Sequence, residues 1–137
     1  MRTLFSLLFL LTALQITTGQ TSDPARTAAD QLIRKYGLDT KQAEKAYDIQ
    51  ARKQKNLAGI EALASSDPAM YRAKKASIQQ GTQASIGRML TTKTQRELYR
   101  QTLSEQRKLR AEKRLAMEAK GEPKTTIEAA LLDIYLE

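Results

Sequence analysis

Five helix-start signals recur along this chain, and no alternating apolar run between them marks a strand. Asp23-Pro24 and Asp67-Pro68 each place a capping carboxylate before a proline at the first helical position. There the missing N–H costs no hydrogen bond and φ is already helical. Asp39 with Gln42, and Thr92 with Gln95, fit the capping box: the cap side chain covers a free backbone N–H, and the glutamine three residues on reaches back to the cap. Thr125 with Glu128 offers a last box. The residues between are mostly Ala, Gln, Lys, Arg, Glu and Leu, the strong helix formers. The chain is expected to be all-α.

These signals divide the chain into helices whose inner faces can be read from spacing. The first runs to Tyr36 and buries Ala28, Ala29, Leu32, Ile33 and Tyr36; Gly37 stops it by accepting the left-handed conformation. A second spans residues 40–64, with Tyr47, Leu57, Ile60 and Leu63 on its apolar side and residues 50–56 polar nearly all round. A third starts at Pro68 and turns Tyr71, Ile78, Ile86 and Met89 inward, weakened by about 1 kcal/mol at each of Gly81 and Gly87 relative to Ala. The fourth begins after Thr92 and continues to about residue 120, with Leu98, Tyr99 and Leu103 early and a charged run later. Gly121-Glu122-Pro123 ends it. A short last helix sets Ile127, Ala130, Leu131 and Ile134 on one side. The expected architecture is two capped helical hairpins forming a thin, extended four-helix cradle, plus the short helix. Its core should be thin, because so much of the apolar content is alanine.

Residues 1–19 follow the order of a secretory signal: Arg2, an apolar centre over residues 4–14, then small and polar Thr17, Thr18 and Gly19. The apolar centre is short of the roughly 20 residues needed to span a bilayer. Cleavage is expected after Gly19, followed by a helical domain over residues 20–120 and a linker with an acidic amphipathic helix over residues 121–137. The mature chain is expected in the periplasm or secreted, with no stable membrane insertion.

The 137 residues include no Cys, no His and no Trp, and carry a net charge of +8. Disulfides and thiol nucleophiles are thereby excluded, and the commonest metal ligand and general base are missing. No G-x-S-x-G, no phosphate-cradling Gly/Lys loop and no compact acidic cluster is present. The chain is read as non-enzymatic, with no cofactor and no metal site. The positive charge raises nucleic acid as a partner, but export and the lack of a recognition-helix motif or interleaved aromatics argue against it. A coiled-coil seam is also absent: heptads counted from Leu98 give Leu98, Thr102, Glu105, Leu109, Glu112 and Ala116.

Two stretches echo each other. Asp23-Pro24-Ala25 recurs as Asp67-Pro68-Ala69, and Leu38-Asp39-Thr40-Lys41 with Tyr47 recurs as Leu90-Thr91-Thr92-Lys93 with Tyr99. An internal duplication and a repeated use of cap chemistry both fit this pattern. Leu38, Asp39 and Gln42, and again Leu90, Thr91, Thr92 and Gln95, resemble degenerate copies of the LTxxQ motif that occurs twice in the Spy/CpxP family of periplasmic proteins. Residues 66–75 resemble the stretch between the copies, and the similarity covers about residues 23–115. The first copy has Asp39 where Thr is expected; the second has Thr94 at the Gln position, with Gln95 one place late. The resemblance implies a curved all-α cradle, often dimeric, that binds unfolded or stressed envelope proteins without ATP. Zinc, which some relatives bind, is not carried over to a chain without His.

The residues themselves suit such binding, because long Lys and Arg stems offer apolar contact while their heads stay wet. Arg52, Lys53, Lys55, Lys74, Lys75 and Arg88 are the candidates for a positive face, and Tyr47, Tyr71, Ile78, Met89 and Tyr99 for apolar contacts beside it. The expected function is an ATP-independent chaperone or envelope-stress adaptor; the alternative is a structural or regulatory protein with one specific envelope partner. Homodimers fit either. Residues 125–137 hold Glu128, Asp133 and Glu137 and no base. This acidic helix is expected either to cover the basic surface or to complete the core.

Overall fold

In a computed structural model, residues 23–135 and 137 are described. The expected signal segment and its cut after Gly19 lie outside them. Every element among the described residues is helical: α1 (Pro24–Tyr36), α2 (Thr40–Ala58), α3 (Leu63–Ser66), α4 (Pro68–Met89), α5 (Lys93–Glu118) and α6 (Lys124–Leu132). No helix among them is long and apolar enough to cross a membrane.

The caps form where local chemistry places them. The Asp23 carboxylate accepts from the Ala25 N–H, Asp67 from Met70, and both capping boxes close. Gly37 ends α1 at φ 58°, its N–H donating to the Ile33 carbonyl. Two boundaries depart from expectation. α2 stops at Ala58 instead of running to residue 64, because the backbone tightens into i→i+3 bonds: Ile60 to Leu57 (3.1 Å), Glu61 to Ala58 (3.3 Å) and Leu63 to Ile60 (2.9 Å). This turn buries Ile60. The expected box at Thr125 and Glu128 does not form: the Pro123 carbonyl accepts from Thr126 and Ile127, both at 3.0 Å, and starts α6 two residues earlier. Glu128 instead reaches Lys124, one turn back, at 3.9 Å.

α1 folds back on the first half of α2, α4 packs on α2, and α6 touches both α4 and α5. The main apolar cluster is Ala29, Leu32, Tyr36, Ala46, Ile49, Ile86, Met89 and Leu90, with Leu38, Tyr47 and Tyr99 packed against it. The inner faces are partly those expected, since Leu32, Tyr36, Ile86, Met89, Ile127 and Leu131 are buried. Ala28, Ile33, Leu57, Leu63, Ala130 and Ile134 are only half-buried, and Leu98 is exposed.

Glutamines take the interior positions that apolar residues were expected to fill. The buried stripe of α2 is Gln42, Ala46, Ile49 and Gln50, and that of α5 is Gln95, Thr102 and Gln106. Gln50, placed by sequence in a solvated stretch, is completely buried. Gln83 Nε2 donates to Gln106 Oε1 at 2.6 Å, joining α4 to α5. A wholly apolar stripe is therefore not what joins these helices. Gly87 has a second role besides weakening its helix: a Cβ there would stand 2.9 Å from Tyr99 Cε1, so the bare backbone admits the ring. That ring meets Tyr36 edge-on at 6.3 Å.

Candidate functional site

The two resembling motifs meet at one point. Asp39 caps α2 and Thr92 caps α5, which puts Gln42 and Gln95 at the same place in their respective first turns. Gln42 Nε2 donates to the Met89 carbonyl (3.0 Å), to Thr91 Oγ1 (3.2 Å) and to Gln95 Oε1 (3.1 Å). Gln95 Nε2 donates back to Gln42 Oε1 (2.9 Å), and Gln95 Oε1 accepts from the Thr91 and Thr92 N–H groups. Counted from the caps Asp39 and Thr92, the two glutamines stand in the same register, three residues on; counted from Leu38 and Leu90, Gln95 is one place late. The echoed tyrosines are out of register: Tyr99 takes the position of buried Ala46, not that of Tyr47. Leu38 and Leu90 pack in the core beside the junction. This is a structural joint, and its donors are fully engaged.

A basic groove runs along α2 and α4 instead. One cleft, 360 Å³, is lined by Arg52, Lys53, Asn56, Ser77, Ile78 and Arg88 among others. A second, 480 Å³, is lined by Lys55, Asn56, Gly59, Ile60, Lys74, Ser77 and Ile78. The two share Asn56, Ser77 and Ile78, and no carboxylate lines either. Helical spacing explains the grouping, because Arg52, Lys55 and Asn56 share one face of α2, and Lys74, Ser77, Ile78 and Gly81 share one face of α4. Arg88 is steadied by Ser85 Oγ at 3.1 Å. Lys53 sits at the groove's inner edge and is paired with Glu137.

No family model matches this chain, and no match was found among curated proteins or solved structures. The geometry is therefore what assigns the candidates. Arg52, Lys53, Lys55, Lys74, Arg88 and Ile78 come together. Lys75 does not join them: it pairs with Asp133 at 2.9 Å and lies 6.0 Å from the Tyr71 ring. Tyr47 donates to Asp23 at 3.0 Å under the Arg26 guanidinium, away from the groove. Met89 is buried in the core cluster and half-buried Tyr99 packs against it, and neither lines the groove. Spacing marked Ile60 as apolar but not as part of the groove, which the turn after α2 brings it to line; it missed Asn56 and Ser77, which carry no charge or apolar bulk to mark them.

Burial sets the few perturbed ionisations. It pushes the Tyr36, Tyr99 and Tyr135 phenols above their usual value, and it lowers the Lys35 amine against the pull of Glu105 and Glu137. Tyr47 is raised for a different reason, its hydrogen bond to Asp23. None of these groups lines the α2–α4 groove. Among the described residues no group of three or more acidic side chains could hold a metal ion.

Proposed function

We propose that this protein is an exported, ATP-independent chaperone or envelope-stress adaptor of the Spy/CpxP type, without catalytic activity, and that the α2–α4 groove holds its partners. In this reading α1–α2 and α4–α5 are two hairpins of a thin cradle joined at Gln42 and Gln95, and residues 1–19 are removed on export. The observation that carries it is the groove itself: five cations around Ile78 and Ile60 with no lining carboxylate. Such a surface attracts acidic segments and offers apolar side chains a short, shallow rest. Weak contact with many partners follows from that combination, because exposed charge pairs are worth only about 0–1 kcal/mol each.

The test is suppression of aggregation of an unfolded substrate at stoichiometric ratio and low salt, where attraction is least screened. Protection that weakens with added salt, and weakens again in K55E/K74E, is the expected result. A failure to protect at low salt overturns the chaperone reading. Saturable capture of a single envelope protein without general protection would support the specific adaptor instead.

A further inference from the structure

A second cleft, independent of the groove, lies where α4, α5 and α6 converge, with a volume of 730 Å³. Arg72 enters it from α4, Arg107, Arg110 and Arg114 from α5, and Leu131 and Leu132 from α6, with alanines of α4 and α5 leaving the walls low. The three α5 arginines recur three and four residues apart, so they share one helix face. Like charges at that spacing destabilise a helix when nothing neutralises them. Among the described residues none of the four arginines reaches a carboxylate within ion-pair distance. Glu128 lines the cleft, but its near partner is Lys124. Arg110 is tied down through Nε to the Ile134 carbonyl at 2.9 Å, which leaves its terminal amino groups for another acceptor.

We propose that this cleft binds a small amphipathic anion, a single aliphatic chain ended by an oxyanion. The head rests on Arg107, Arg110 and Arg114, and the chain lies against Leu131 and Leu132. Guanidinium groups match carboxylate and phosphate oxygens in paired, charge-assisted hydrogen bonds. The volume falls within the about 300–1,000 Å³ of small-molecule sites. Two apolar side chains and the alanine walls explain why a bare inorganic ion would leave the cleft half used.

Titration calorimetry on the full chain tests this with dodecanoate and dodecyl phosphate, each below its micelle-forming concentration, beside dodecanol and inorganic phosphate. Saturable one-site binding of at least one charged dodecyl compound is expected, and which of the two binds tells carboxylate from phosphate. Dodecanol and inorganic phosphate should each bind at least about tenfold more weakly, and R107Q/R114Q should lose about tenfold with its helical circular dichroism intact. Binding in K55E/K74E should stay within about twofold, since those lysines line the other groove. The assignment is overturned by no saturable heat with either anion, by unchanged affinity in R107Q/R114Q, by equal binding of dodecanol, or by loss in K55E/K74E.

Discussion

Gln42 and Gln95 hold each other's side-chain amides in both directions, each Nε2 donating to the other's Oε1, at 3.1 and 2.9 Å. Both glutamines also close the capping boxes of their own helices. One side chain thus satisfies a local need, the free N–H groups of a helix start, and a long-range one, the joining of α2 to α5. Because both glutamines are buried, the alternative to these bonds is an unpaired amide away from water.

Removing one glutamine should therefore cost more than half of removing both. Q42A and Q95A are each expected to lose about 2–3 kcal/mol in urea unfolding, since the remaining amide is stranded. The double variant should lose less than the two added together, with a coupling of about 1 kcal/mol. Strict additivity would mean that the two caps act separately and that the amide pair joins nothing.

The two glycines of α4 should respond with opposite signs. A Cβ at Gly81 meets nothing within 4 Å, so G81A is expected to gain about 0.5–1 kcal/mol from helix propensity. At Gly87 the same methyl would press on the Tyr99 ring at 2.9 Å. Moving that ring disturbs its contact with Tyr36 and its 2.5 Å hydrogen bond to the Gln83 carbonyl. G87A is expected to lose about 1–3 kcal/mol, the usual cost of overpacking. A thermal melt separates the two, and stabilisation by G87A would show that α4 and α5 can slide apart freely.

Alkali should unfold the protein through its buried tyrosines. Burial raises Tyr36, Tyr99 and Tyr135 above the ordinary value of 10.0. The folded chain then keeps phenol protons that the unfolded chain has given up. This contribution is whole below about pH 10 and is lost as pH rises through the folded values. Lys35 works in the opposite direction: its lowered value means that its contribution improves as pH climbs toward 10.5. Three groups outweigh one, so the melting temperature should fall steadily above about pH 10. Y135F should flatten that fall. Tyrosinate absorbance that finishes titrating near pH 10 while the helices persist would contradict the role given to burial.

What was legible in the sequence is what short range decides. Asp23, Asp39, Asp67 and Thr92 cap helices because each needs only its own next three residues, and so the all-α class and most boundaries could be read directly. Gln50 and Gln106 could not be placed by polarity, because their burial depends on which helix arrives opposite. The end of α2 escaped notice because Gly59 and its neighbours tolerate a tighter turn as readily as another helical turn. For the groove, charge pattern named Arg52, Lys53, Lys55, Lys74 and Arg88, which line the two adjoining clefts. It also took in Lys75, which faces Asp133, since neighbours in sequence on a helix look in different directions.

The segment after α6 links the groove to stability. Lys53 and Gln50 both donate to the Glu137 side chain, Lys35 donates to the Glu137 backbone, and Tyr135 donates to the Gln79 carbonyl at 3.0 Å while lying 4.6 Å from the Lys53 amine. Deleting residues 123–137 would strip buried Ile127 and Leu131 along with these contacts, and so would confuse loss of cover with loss of core. Removing only residues 133–137 keeps α6 and frees Lys53 and Lys75. The truncated chain should melt a few degrees lower, by the roughly 1–3 kcal/mol of its lost part-buried hydrogen bonds. It should also bind an unfolded acidic client more tightly at low salt, with a steeper salt dependence. E137Q, which keeps the shape and removes the charge, should reproduce most of the affinity gain with less of the destabilisation. If neither variant binds more tightly while both melt earlier, the segment is a structural strap and has no part in regulating the groove.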